Sequence, residues 1–359
     1  MRVMVTGSSG YVGAFSVKSL VDAGHRVRLL VRDPAKAEAV LRAVGVTGRL
    51  DCVKGDMTDE TSVLKALQGC NAVLHCAAVV STHASQEHEM LRANPLGAEL
   101  VIGHAVRLGL DPVVHCSSVT ALLRPAAKLL TADMPPGTLM RGYARSKILC
   151  EEYVRTLQGA DAPVVITYPG SVTGPAAGSV LGEATHGIAA TLGVGLVPTR
   201  NAALTIIDAR DVGAIHAALM TPGRGPRRIM CGGHFVTADA MARYLGQLTG
   251  HRIRVLNTPA ALLRGAGLMS DMLTRALPGL SNPFTHEAMV YFTWQPPTDD
   301  SAVERELGIR YRDVKETLRE SILAAHAAGL VTEAQLGNLA RRRGSSTPAG
   351  GTARRRRRR

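Results

Sequence analysis

The chain has 359 residues, 46% of them apolar and 3% aromatic, with a formal charge of +13. Cores stop growing near ~250–300 residues, so this length predicts a nucleotide-binding-sized core plus a smaller lobe, and the scarcity of aromatics argues against recognition by ring stacking. Nine of the positive charges are Arg341 to Arg343 and Arg354 to Arg359, in a stretch with no acid; the rest carries only +4, which excludes a basic nucleic-acid-binding face.

Short β-branched runs and helical patterns alternate through the first third: RVMVTG, YVGAFSVKSLVDAG, HRVRLLVRD, a helix near 35–44, LDCVKGD, a helix near 60–68, NAVLHCAA, a helix near 88–108, and DPVVHCSSV. This spacing predicts right-handed βαβ units, hence an α/β fold with a doubly wound parallel sheet of the Rossmann kind. A helix follows over Tyr143 to Gln158, then a strand at PVVITYPG, while residues 170–200 are Gly-rich and their structure stays open. LTIIDARDVGAIHAALM predicts a strand returning to the core and a helix opened by Asp208 or Asp211. The expected layout is a nucleotide-binding domain over 1–169 with a returning segment near 204–232, an interleaved substrate lobe from 170–203 and 233–335, and a disordered Arg-rich tail over 341–359. For that tail, contact with anionic polymers or lipid surfaces, an incidental gene-end feature, and no role at all stand equal.

The cysteines Cys52, Cys70, Cys76, Cys116, Cys150 and Cys231 include no C-x-x-C pair and several sit in apolar runs. They predict reduced, buried thiols in a cytoplasmic protein and no metal frame. His83, His88 and His186 fall in expected loops at spacings that match no metal motif. The apolar start ends at Thr6-Gly7, too short for a signal peptide, and no uncharged run is long enough for a bilayer span.

TGSSGYVG follows the first strand and opens the first helix, the context that a phosphate-binding loop requires. Gly7 permits the turn, Gly10 lets backbone approach a pyrophosphate, and Gly13 allows close helix–strand packing; Ser9, Tyr11 and Val12 complete the loop. At the end of the second strand, Val31 and Arg32 stand where an NAD-preferring protein places an acid, so Arg32 points to the 2′-phosphate of NADP. Asp56 and Met57 follow the third strand, where a carboxylate can accept from an adenine amino group and a thioether can pack on the ring; a helix cap at Thr58 or Asp59 is the competing reading.

Tyr143 and Lys147 in YARSK share one helical face, so an ammonium beside the phenol, with the positive nicotinamide of an oxidised cofactor nearby, favours its ionised form and fits Tyr143 for general acid–base work. Ser118, ending the strand VVHCSSV, can donate to the same substrate oxygen. Asn94, before Pro95 and Gly97, either holds a water relaying protons from Lys147 or is a polar residue at a Pro-induced irregularity.

TGSSGYVG, HCAAVV, CSSV, YARSK and PGSVTGP, in that order, resemble the extended short-chain dehydrogenase/reductase superfamily (the NAD-dependent epimerase/dehydratase family) over about residues 1–330. AGHRVRLLVRDPAK looks most similar to its dihydroflavonol-4-reductase-like branch, with 3β-hydroxysteroid dehydrogenases as close relatives. The resemblance implies Ser118, Tyr143 and Lys147 in the catalytic positions, Arg32 at the 2′-phosphate, Ala77 and Ala78 lining the cofactor channel, and Pro169 to Val172 bordering the nicotinamide. Pro95 and Gly97-Ala98 depart from the pattern in which relatives carry a valine and Gly-Thr, and the Arg-rich tail has no counterpart.

The expected function is NADP-dependent hydride transfer to or from a carbonyl or secondary alcohol of a small, lipophilic substrate, NAD being the less favoured cofactor. A 3β-hydroxysteroid dehydrogenase-like enzyme, an NAD-linked sugar-nucleotide epimerase or dehydratase, and a non-catalytic NADP-sensing protein are the alternatives. A homodimer is the default assembly, and no specific nucleic acid is expected. The stretch TPAALLRGAGLMSDMLTRALPGL is amphipathic, with Leu and Met on one side and Arg264 and Arg275 on the other. It is expected first to pack on the core, with roofing an apolar pocket or lying on a membrane as alternatives.

Overall fold

The structure is a computed structural model that describes residues 1–81, 84–276 and 285–340. His83 and the 341–359 tail lie outside the described residues, as does the side chain of Arg275. The first part alternates β1 (Arg2–Thr6), α1 (Tyr11–Asp22), β2 (Arg26–Val31), α2 (Pro34–Ala43), β3 (Asp51–Lys54), α3 (Glu60–Leu67), β4 (Ala72–His75), α4 (Glu87–Arg107), β5 (Val113–Cys116), α5 (Gly142–Gly159) and β6 (Val164–Pro169). The chain continues with β7 (Ser171–Thr173), α6 (Glu183–Val194), β8 (Leu196–Val197), β9 (Ala203–Asp208), α7 (Ala209–Ala218) and β10 (Arg227–Cys231). It closes with β11 (His234–Thr237), α8 (Ala238–Thr249), β12 (Arg254–Val255), α9 (Ala260–Ala276), α10 (His286–Trp294), α11 (Ser301–Leu307), α12 (Val314–Ala327) and α13 (Glu333–Leu336).

Seven strands form the main sheet in the order β10-β6-β5-β4-β1-β2-β3, and every pairing in it is parallel. Parallel strands covered by helices on both faces read as continuous apolar runs, and successive side chains alternate between two cores. Val3, Val5, Leu74 and Val114 pack on the α1 and α7 side, and Met4, Val73, Val113 and Ile166 on the α4 and α5 side. The strand order reverses between β1 and β4, so their carboxyl ends open the crevice in which such sheets take ligands. Among the described residues no helix is long and apolar enough to cross a membrane.

Two sequence expectations are refined here. The strand at LTIID returns to the core, through Ile207, without joining the main sheet: β9 pairs with β7 and β11 in a three-stranded sheet, and β10 takes the outer place beside β6. It reads as a core strand because it is covered twice, Ile207 facing the core of the main sheet and Ile206 a third core with α6, α8 and α12. Asp208 then caps α7 by accepting from Arg210 N–H at 2.9 Å.

The second change concerns α9. Its small and polar face is the packed one: Gly267 lies so close to α10 that a Cβ there would sit 2.8 Å from the His286 backbone. The Arg264 guanidinium bonds Thr293 Oγ1 at 3.0 Å. Leu262, Met269, Met272 and Leu273 are exposed. Amphipathic periodicity shows that two faces exist, but close backbone approach needs small residues, and those chose the covered face.

Candidate active site

The loop between β1 and α1 is folded tightly around its glycines. Gly7 has φ +76°, and a Cβ on it would lie 2.6 Å from the Ala77 nitrogen; a Cβ on Gly13 would lie 2.1 Å from the Gly7 carbonyl oxygen. Gly10 donates its N–H to Gly7 O at 2.9 Å and is the N-cap of α1, with no side chain bonded to the first turn. An uncapped helix start with orphan N–H groups is an anion site, so the cradle fits a dinucleotide pyrophosphate. Ser9, Gly10 and Val12 are half-buried there, and Ala77 and Ala78, also half-buried, form the opposite wall after β4. Tyr11 is otherwise employed: its buried ring packs edge-on against Phe15, and its hydroxyl donates to Pro175 O at 2.8 Å. That side chain ties α1 to the second lobe, leaving the backbone N–H for a ligand.

Arg32 follows β2 with its side chain 83% exposed and Nε 3.9 Å from Asp56 Oδ2. The guanidinium is therefore available to a phosphate at the edge of the crevice. Asp56 Oδ1 accepts from both the N–H and the hydroxyl of Thr58, at 2.9 and 2.8 Å. Asp59 caps α3 through Ser62 N–H. Met57 packs against α4, where a Cβ on Gly97 would come within 2.7 Å of its sulfur. Gly97, where the resembled pattern also carries glycine, thus leaves the space that Met57 fills.

Ser118 leaves the end of β5 and caps a short 3-10 turn, its Oγ accepting from Thr120 N–H at 3.2 Å. Tyr143 and Lys147 lie one turn apart on α5, with Lys147 Nζ 5.8 Å from the Tyr143 ring centre and donating to Cys116 O at 3.0 Å. Burial pushes the Tyr143 phenol up, while the Lys147 ammonium and the Ser118 hydroxyl pull it the other way. Burial opposes the Lys147 charge, yet Tyr143 and the neighbouring thiols hold its ammonium above the ordinary range. The net direction is upward, burial outweighing the Lys147 ammonium and the Ser118 hydroxyl. Pro169 ends β6 buried, and Val172 in β7 is half-buried.

Asn94 is 2% exposed and its amide is committed. Its Oδ1 accepts Val79 N–H at 2.7 Å, and its Nδ2 donates to Val79 O and Ser146 Oγ, both at 2.9 Å. Both amide hydrogens are used, so Asn94 clamps the segment after β4 to α5 rather than presenting a donor to water near Lys147. Pro95 sits inside α4 without ending it. His88 and His186 belong to α4 and α6, not to loops.

Two residues that sequence reasoning missed come from α10. Glu287 accepts from Ala144 N–H at 2.8 Å with Oε1 and from Tyr143 N–H with Oε2, while Glu87 Oε1 accepts from Gly142 N–H at 3.0 Å. Burial pushes Glu287 up to about 7, against those backbone donors and with Glu87 and Asp271 adding to the rise. Tyr291 Oη stands 3.4 Å from Ser171 Oγ, and burial raises it to about 12. Neither residue carries a local signal; HEAMVYFTW is an ordinary helical run.

A model of the NAD dependent epimerase/dehydratase family matches residues 3–232. The chain belongs to that family. It is thus an extended short-chain dehydrogenase/reductase, an NAD(P)-dependent oxidoreductase. This family member is 28% identical over 346 residues to "Sterol demethylase protein B" of Methylococcus capsulatus, covering 92% of this chain and 100% of that protein. It is 27% identical over 333 residues to a 4-hydroxy-2-methyl-3-oxo-4-farnesyl-3,4-dihydroquinoline-1-oxide ketoreductase of Stigmatella aurantiaca, covering 92% and 98% of the two chains. In fold it matches the terminal R domain from the myxalamid PKS-NRPS biosynthetic pathway with a TM-score of 0.73 at 21% identity, over 92% of each chain.

Proposed function

We propose that this family member is an NADPH-dependent reductase of a lipophilic ketone or aldehyde. The observation that carries the reading is the geometry of a half-buried Tyr143 on α5, with the Lys147 ammonium 5.8 Å from its ring and Ser118 at the end of β5, beside the glycine cradle. Bound NADPH supplies the hydride. Ser118 donates a hydrogen bond to the carbonyl oxygen and fixes its position. Tyr143 passes its proton to that oxygen as charge develops, and Lys147 stabilises the phenolate that remains. Such acid–base help is worth about 10²–10⁴ in rate, with alignment supplying the rest. Arg32 pairs with the 2′-phosphate and selects NADPH over NADH.

Two features support a lipophilic substrate. The relatives' names concern a sterol and a farnesylated quinoline ketone, and α9, beside the site helix α10, turns Leu262, Met269, Met272 and Leu273 outward. The test is oxidation of NADPH and NADH against steroidal, aliphatic and flavonoid carbonyls, with Tyr143→Phe as control. Turnover with NADPH on an apolar carbonyl, lost in Tyr143→Phe while NADPH still binds, is the expected result. Turnover that survives in Tyr143→Phe, or NAD that co-purifies with activity confined to sugar nucleotides, overturns it.

A further inference from the structure

Cys76 follows β4 and Cys116 ends β5. The strands run in parallel with His75 paired to His115, and those two imidazoles stack with centroids 5.5 Å apart. One rung further, Cys76 and Cys116 fall side by side on the face toward α1 and α7. There the two sulfurs and a ring nitrogen of His216 lie within 4.8 Å of one another. His216, fully buried on α7, is held from both sides, by Ser16 Oγ at 2.8 Å and Thr167 Oγ1 at 3.1 Å. Neighbouring strands lie about 4.8 Å apart, inside the roughly 4.4–6.8 Å Cα separation that a disulfide spans.

We propose that Cys76 and Cys116 form an oxidation site, closed to a disulfide by hydrogen peroxide or an organic hydroperoxide, and that closure stops turnover. The two thiols are unequal. A hydrogen bond from Cys76 holds the Cys116 thiol well below its ordinary range against burial, with His216 and the Lys147 charge assisting, while Cys76 is pushed well above. Burial keeps Cys52, Cys70 and Cys150 up, so these thiols retain their protons and react slowly. The Cys116 thiolate attacks the peroxide; the O–O bond breaks, one oxygen stays on sulfur as sulfenic acid, and the other leaves as water or alcohol after protonation. Cys76 sulfur then attacks the sulfenic sulfur, the S–S bond forms, and water leaves carrying the Cys76 proton. The two sulfurs together lose two electrons, and the peroxide gains them.

Closure reaches the candidate catalytic groups through covalent neighbours. The Cys116 carbonyl is the acceptor of Lys147 Nζ at 3.0 Å, and Ser118 follows two residues later. Cys76 precedes Ala77, whose N–H donates to Thr6 Oγ1 at 3.2 Å and whose nitrogen lies against Gly7. Bringing the two sulfurs from within 4.8 Å to bonding distance shifts the Cys116 and Cys76 backbone that these groups depend on, and a misplacement of about 1 Å there costs about 10²-fold in rate.

The activity half of this proposal rests on the reductase reading; the chemical half does not. Peroxide-treated full-length protein is digested without reductant and mapped by mass spectrometry, with NADPH turnover followed in parallel before and after dithiothreitol. The expected result is a peptide pair joined through Cys76 and Cys116, with activity down about 10²-fold and restored by the reductant. In Cys76→Ser the joined peptide disappears and a dimedone adduct marks Cys116, whereas Cys52→Ser and Cys70→Ser behave as the parent does. Recovery of both thiols in alkylatable form after peroxide overturns the site, whether or not any carbonyl is turned over. A joined pair with unchanged NADPH turnover overturns the control of activity alone.

Discussion

Glu287 caps the helix that carries Tyr143, accepting the Tyr143 N–H at 3.2 Å from 144 residues further along the chain. The second lobe thereby supplies the N-terminal cap of the helix on which the proposed proton donor stands. A lost cap costs about 0.5–2 kcal/mol, and here it also frees the first turn of α5. Glu287→Ala is expected to lower kcal-scale stability by that amount and kcat by about 10-fold, with the KM for NADPH nearly unchanged. Calorimetry and steady-state kinetics check it; an unchanged kcat would remove the positioning role.

The same carboxyl has a pH signature. Its folded value is raised from 4.5 to about 7 by burial. The stability it contributes is therefore full below about 4.5 and is lost as the pH rises through about 7. Allowing for the water that reaches a half-buried group, the loss is on the order of 2 kcal/mol. Glu287→Gln removes this dependence, so urea midpoints of parent and variant should diverge between pH 5 and 8, the parent falling. Parallel curves would contradict the assignment.

Ser118 pulls the Tyr143 phenol down by hydrogen bonding. Ser118→Ala should lower kcat for carbonyl reduction by about 10–10²-fold and move the alkaline limb of the rate profile, where Tyr143 loses its proton, to higher pH. A limb that stays in place would assign it to another group.

Arg32 is exposed and its nearest carboxylate oxygen is 3.9 Å away, so removing it leaves the fold intact. Hydrogen bonds to a charged group are worth about 1.5–3 kcal/mol. Arg32→Ala is expected to raise the KM for NADPH by about 10–10²-fold and to leave that for NADH unchanged, which titration with both nucleotides measures. Equal effects on the two would end its role as the 2′-phosphate partner.

At Gly13 an added Cβ meets backbone, 2.1 Å from Gly7 O, whereas at Gly97 it meets the end of the Met57 side chain at 2.7 Å. Backbone cannot swing aside and a thioether can. Gly13→Ala should cost about 1–3 kcal/mol and abolish nucleotide binding, while Gly97→Ala should cost less and leave binding measurable. Thermal melts with and without NADPH distinguish the two.

The sequence by itself determined the parallel sheet, the glycine loop and the family. These are local properties: strands covered on both faces write continuous apolar runs, and a helix start that must lie against a turn demands glycine at Gly7 and Gly13 whatever surrounds it. Tyr143 and Lys147 were legible for the same reason, since four residues on a helix is a distance fixed by the backbone. Only the tertiary structure decided which sheet β9 joins, which face of α9 is covered, that Asn94 clamps Val79 and Ser146, and that Glu287 meets Tyr143. It alone brought Cys76, Cys116 and His216 together. Those outcomes depend on how whole elements pack, because close approach is set by small residues and strand neighbours far apart in the chain, and periodicity within one element carries no record of its partner.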